Sequence, residues 1–150
     1  MAGNNTITID FHYMPAILTF TALRRVTPEI FYHKTKTGRE VDLVALLPSV
    51  PGQKRAMLLI QVCATPADLR VRQSEVRFLS EATIELAVAE GTIVTWRTDE
   101  TIPVGFGTIQ VVPVWRFLLK MPKIEDSGWR HSPHRKQLLP SALIRRKIPD

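Results

Sequence analysis

The apolar positions of this chain switch between helical and strand periods, and each switch predicts an element. From Tyr13 to Val26 the spacing is helical, with Ile17, Leu18, Phe20, Ala22 and Leu23 on one broad face. Pro15 suits the first turn. Arg24 and Arg25 suit the last, where the helix dipole favours positive charge, and Thr27-Pro28 ends the helix. Upstream, Thr6 to Phe11 alternates like a short strand. From Glu29 to Thr35 the alternation predicts a strand with Ile30 and Tyr32 on one face and Phe31 and His33 on the other. Lys36-Thr37-Gly38 reads as a turn. Arg39 to Leu47 is a second strand, so nearly continuous in apolar residues that both its faces are expected to be buried. Pro48 to Gln53 reads as a loop and Arg55 to Cys63 as a third strand, giving an antiparallel meander.

Thr65 or Asp68 is placed to cap a long helix running to about Glu90, ended by Gly91. Leu69, Val76, Leu79, Ala82, Thr83, Leu86 and Ala87 follow its inner face. Arg70, Arg72, Glu75, Arg77, Glu81 and Glu85 fall opposite, spaced so that the acids neutralise the arginines on a solvated surface. Thr92 to Trp96 is a fourth strand, Arg97 to Pro103 a polar loop, Gly107 to Val112 a fifth strand and Pro113 to Leu119 a short closing helix. The expected fold is α/β, a mixed sheet flanked by helices. After Leu119 the periodicity stops and Pro122, Gly128, Pro133 and Pro140 punctuate the chain, although Ser141 to Lys147 has room for a turn or two of helix. The expected organisation is an N-terminal helical extension over 1–28, an α/β domain over 29–119 and a basic, disordered tail over 120–150.

The 150 residues suffice for one domain with a core, and 45% are apolar. No apolar run approaches the roughly 20 residues of a membrane span. Met1 to Thr6 carries no basic residue ahead of an apolar stretch, so no secretory signal is read there. The single cysteine, Cys63, excludes an intramolecular disulfide. The expectation is a cytoplasmic protein without a membrane partner. The net charge of +6 is concentrated at one end: from Lys120 to Asp150 eight Lys/Arg face three acids (+5), whereas residues 1 to 119 hold twelve bases and eleven acids (+1). Such a tail attracts phosphates through counterion release, an affinity that fades with salt.

Two strands carry the candidate chemistry: Glu40-Val41-Asp42-Leu43-Val44 in the second, and Leu59-Ile60-Gln61-Val62-Cys63 in the third. With Phe31 to Gly38 before them, Arg72-x-x-Glu75 and Leu79 after them, and Val111 to Leu119 at the end, these patterns resemble one family. It is the C-terminal domain of prokaryotic AAA+ ATPases of unestablished function, a domain with a restriction-endonuclease-like fold. The resemblance spans Phe31 to Leu119, about three fifths of the chain. It implies a sheet of the PD-(D/E)xK nuclease type, in which an acid on one strand and an acid-x-Lys triplet on the next hold a divalent metal. Asp42 matches the first acid. The triplet reads Gln61-Val62-Cys63, an amide in place of the second carboxylate and a thiol in place of the lysine. The G-x-x-x-x-G-K-[ST] phosphate loop of the family's ATPase domain does not occur in the chain, and no acid stands near Pro15 and Ala16, where the family's first helix carries one. The chain therefore looks like a detached C-terminal domain extended at each end.

A Mg²⁺ ion would draw on an Asp42 carboxylate oxygen, the Gln61 amide oxygen and the Val62 carbonyl, with Glu40 on the same strand face as a second carboxylate. Against cleavage stand the single carboxylate at a motif position, the missing lysine, and the lack of a helix acid to complete the site. Lys34 or Lys36 would have to migrate in to replace the lysine. The plainer reading makes Asp42 and Gln61 a hydrogen-bonded polar pair and Cys63 a small core residue. His131 and His134 lack partner cysteines for zinc, and Tyr32 and Trp96 read as core aromatics rather than base-stacking platforms. The functional expectation is a non-catalytic module that binds nucleic acid, through the basic tail, or a protein such as an ATPase. The alternative is a weak Mg²⁺-dependent nuclease acting through Asp42 and Gln61, with Mg²⁺ its only cofactor.

Overall fold

The computed structural model describes residues 13–49, 51–64, 69–105 and 107–121. The expected strand over Thr6 to Phe11, the helix cap at Thr65 or Asp68, the two tail histidines and the helical turn over Ser141 to Lys147 lie outside these residues. The elements are α1 (Met14–Val26), β1 (Ile30–Lys34), β2 (Glu40–Leu46), β3 (Met57–Val62), α2 (Leu69–Glu85), β4 (Glu90–Thr95), β5 (Glu100–Val104), β6 (Gly107–Pro113) and α3 (Val114–Lys120). They form an α/β fold around one six-stranded mixed sheet of order β1-β2-β3-β4-β6-β5. β1, β2 and β3 are an antiparallel meander, β4 joins β3 in parallel after the α2 crossover, β6 joins β4 in parallel, and β5 closes the far edge antiparallel to β6. No helix among the described residues is long and apolar enough to cross a membrane.

Each face of the sheet buries its own cluster. On one side Leu23 of α1 and Phe117 of α3 pack on Ile30, Leu43, Ala45, Ile60, Val94 and Val112. On the other, Leu79 and Ala82 of α2 pack on Val41, Val44, Leu59, Ile93, Ile109 and Val111. The continuous apolar run of β2 is explained by this double burial. The helix over Tyr13 to Val26, set outside the α/β unit by sequence, shares that unit's core through Leu23. Thr27 ends it in extended conformation, and its buried hydroxyl donates to the Leu46 carbonyl at 2.7 Å, tying the helix end to β2.

β1 keeps the alternation read from the sequence: Ile30 packs into the cluster under α1 and α3, while His33, on the opposite face, meets Glu85 of α2. Between Phe31 and His33 the chain advances two residues while β2 advances three, from Val44 to Val41, so β2 carries a bulge. Three sequence expectations are corrected. The first is the end of α2, which comes at Glu85 rather than near Glu90. Ala87 takes a left-handed conformation (φ 53°), the Val88 N–H donates to the Thr83 carbonyl at 2.9 Å and the Ala87 N–H to the Ile84 carbonyl at 3.3 Å. This is a Schellman cap built without glycine. Second, Gly91 lies buried inside β4, under Leu79, which a side chain at that position would strike. Third, the polar loop over Arg97 to Pro103 contains β5. Its alternation turns Ile102 and Val104 toward the α2 cluster, and an edge strand is where a proline such as Pro103 is tolerated.

The acids of α2 are also placed differently from the expected helix-surface pairs. Glu85 accepts from the Lys36 N–H at 2.9 Å and contacts His33 Nε2 at 3.3 Å. Glu81 accepts from the Thr37 hydroxyl at 2.7 Å, and Arg72 pairs with Glu100. These bonds fasten α2 to the β1–β2 turn and to β5. They set the rotation of the helix, and with it the position of Glu75.

Candidate functional site

The β2–β3 ladder runs from Leu46/Met57 to Leu43/Ile60 and stops there. Beyond that point side chains take over from backbone pairing. The Val62 N–H donates to Asp42 Oδ2 at 2.9 Å, and the Asp42 N–H donates to Gln61 Oε1 at 3.3 Å. The bulge in β2 falls between Val44 and Val41, and a bulge re-aims the side chains it carries. Asp42 is thereby turned into the gap between the strand ends. It lines a cavity of about 470 Å³ whose other walls are Tyr13, Ala16 and Phe20 of α1, Leu43 of β2, and Val62 and Ala64 at the end of β3.

Gln61 points the other way along β3, toward α2. There its amide faces the Glu75 carboxyl, whose Oε2 is buried without a hydrogen-bond partner. Asp42 is close enough for its charge to act on Glu75. Burial raises the pKa of Glu75 above the ordinary carboxylate value, the Asp42 charge raises it further, and the Gln61 amide beside it opposes both. As a whole residue Asp42 is exposed, yet its carboxyl lies among protein atoms, and lost hydration is the largest influence on it. That raises its pKa, the Val62 N–H lowers it, and the Glu40 charge raises it again. Among the described residues, none that lines the cavity is basic. Lys34 and Lys36 are exposed and do not line it. Cys63, where the lysine of the motif would stand, packs against the α2 cluster.

The structure thus brings Asp42, Gln61 and Val62 together, with Glu40 acting on Asp42 through space. It adds Glu75, which sequence reasoning assigned to a solvated face. The signal was present in Arg72-x-x-Glu75, but helical spacing alone does not say which strand end a helix faces. Among the described residues no three His, Cys, Asp or Glu side chains come together as metal ligands. Gln61 Oε1 accepts from the Asp42 N–H and Asp42 Oδ2 from the Val62 N–H, so one oxygen of each side chain holds the strand ends together. Asp42 is the one carboxylate of this set, and a Mg²⁺ ion held there would complete its octahedron largely with water. A larger groove of about 640 Å³ between α2 and β5, walled by Val76, Ile84, Ile102 and Val104, lies away from these groups.

Compared with protein-family models, with curated proteins and with solved structures, the chain has no match.

The carboxyl pair has a direct consequence for stability. A carboxyl whose pKa is raised on folding makes the folded state bind more protons than the unfolded chain, between the ordinary carboxylate pKa and the raised value. Stability is therefore fully present below the ordinary value and falls as pH rises through that window. Glu75→Gln keeps the shape and removes the charge. It should raise the melting temperature at pH 7 and leave it unchanged near the acid end, where Glu75 is already protonated. Thermal melts of both proteins across that range test this; a variant less stable at pH 7 would place Glu75 in an ion pair instead.

Proposed function

We propose that the chain is a non-catalytic binding module on a nuclease-like sheet, and that its partner is a nucleic acid. One observation carries the non-catalytic part. The motif side chains Asp42 and Gln61 are used to close the splayed ends of β2 and β3, and the place of the lysine is filled by Cys63 packed against α2. The order of one helix, a three-strand meander, a crossover helix and a parallel return strand supports the restriction-endonuclease-like reading. Support for a polyanionic partner comes from the charge asymmetry, with +5 of the +6 net charge beyond residue 119. The resemblance leaves a protein partner, such as an ATPase, as the other class of occupant.

The test is fluorescence anisotropy of labelled duplex and single-stranded oligonucleotides with the full chain at several salt concentrations. Neutralising about five phosphates predicts a log–log salt slope near −4 to −5 for duplex DNA. Affinity independent of salt, or no binding at low salt, would remove nucleic acid as the partner and turn attention to proteins. A second reading, weak Mg²⁺-dependent phosphodiester cleavage through Asp42 and Gln61, is favoured by one observation. Glu75 brings a carboxyl with an unpartnered buried oxygen to the place where Gln61 lacks one. For that reading Asp42→Ala must abolish cleavage, and activity that survives the substitution belongs to a contaminant.

A further inference from the structure

The cavity beside Asp42 has a composition that neither reading uses. Apart from Asp42 its walls are apolar or aromatic: Phe20, Leu43 and Val62 with the small side chains of Ala16 and Ala64, and Tyr13 at the mouth with 63% of its surface exposed. At about 470 Å³ it is within the size of sites that take small organic molecules, roughly 300–1,000 Å³. Among the described residues that line it none is basic, so Asp42 has no counter-charge in these walls. Glu40 acts on Asp42 through space, and Asp42 acts on Glu75, so the local field is negative on both sides of the strand ends. A neutral apolar guest would leave Asp42 without a counter-charge, and an anionic one would be repelled. A hydrated Mg²⁺ ion would gain nothing from the apolar walls.

We infer that this cavity binds an alkylammonium group, its charged end on the Asp42 carboxylate and its hydrocarbon stem against Phe20, Leu43 and Val62. Aromatic and apolar walls around a single carboxylate are the usual complement of such a cation. The inference goes beyond the binding-module reading and stands on the cavity alone. The same chemistry occurs in free amines and in the lysine side chain of a protein.

The experiment is calorimetric titration of the full chain with three probes of matched length: n-hexylammonium, n-hexanol and n-hexanoate. The expected order is ammonium first, at least about tenfold tighter than the alcohol, a gap of about 1.4 kcal/mol, with no binding of the carboxylate. Asp42→Asn preserves an acceptor for the Val62 N–H and should erase the preference for the ammonium probe. Circular dichroism melts establish that this variant is folded, and the comparison of three probes on the unmodified protein requires no variant. A second arm with Nα-acetyl-lysine amide separates the sources: tighter binding than the simple amine assigns a protein lysine, weaker binding a free amine. Equal affinity for the ammonium and alcohol probes overturns the inference. So does unchanged ammonium binding by Asp42→Asn, or Mg²⁺ binding at Asp42 with none by the amine. That last result would uphold the metal reading, whereas loss of oligonucleotide binding leaves this inference untouched.

Discussion

Leu79→Ala is expected to cost about 2–5 kcal/mol of folding stability. Leu79 is 1% exposed and sits at the centre of the cluster that joins α2 to the sheet, among Val41, Val44, Leu59, Ile93 and Ile109. It also lies directly over the backbone of β4: a Cβ built on Gly91 would stand 2.8 Å from Leu79 Cγ. β4 is an inner strand, hydrogen-bonded to β3 and β6, so the sheet has little freedom to collapse into the space a shortened side chain leaves. The loss therefore includes both the transfer free energy of the missing carbons and the cavity. Against a typical total of about 5–15 kcal/mol this is a large fraction. Urea unfolding should show a lower midpoint with an unchanged slope, and Leu79→Met should recover all but about 1.5 kcal/mol. The same variant reaches the site, because Leu79 is one helical turn from Glu75 on α2. A loss below about 1 kcal/mol would mean that α2 does not pack on this face.

Gly107→Ala is expected to cost about 2–4 kcal/mol, by a different route. Gly107 begins β6, where the turn after α2 passes so close that an added Cβ would stand 1.9 Å from the Ala89 carbonyl oxygen. That oxygen accepts from the Thr108 N–H at 3.0 Å. The obstacle is backbone, which no rotamer change relieves, so the substitution must push the turn from β6 and break that bond. Gly105 is the control, since a Cβ there meets nothing within 4 Å. Gly105→Ala should stay within about 0.5 kcal/mol of the unmodified protein. Chemical denaturation of both variants measures the difference. Equal stabilities would falsify the close approach of the turn to β6.

The reach of sequence reasoning differs from element to element for identifiable reasons. α1 was legible by its helical apolar period, and β2 and β3 by near-continuous apolar runs, which mark strands buried on both faces. The end of α2 was not. Its cap rests on Ala87 in a conformation that normally marks glycine, so the nearest glycine, Gly91, drew the boundary too far. β5 was hidden by Pro103 and by charged neighbours, which an edge strand tolerates and an inner one does not. The bulge in β2 left no trace in composition, since it is a property of pairing between two strands.

The candidate site divides along the same line. The acid in an apolar strand, the amide and thiol of Gln61-Val62-Cys63 and the charge asymmetry of the chain are local facts, and the sequence alone determined them together with the α/β class. Only the tertiary structure decided that Asp42 and Gln61 would bind each other's strand ends, that Glu75 would stand beside them, and that α1 would wall a cavity with Asp42 in it. The physical reason is that a side chain's partners depend on helix rotation and strand register. Both are set by contacts among α2, the β1–β2 turn and β5, elements far apart in the chain and brought together by burial of the same core.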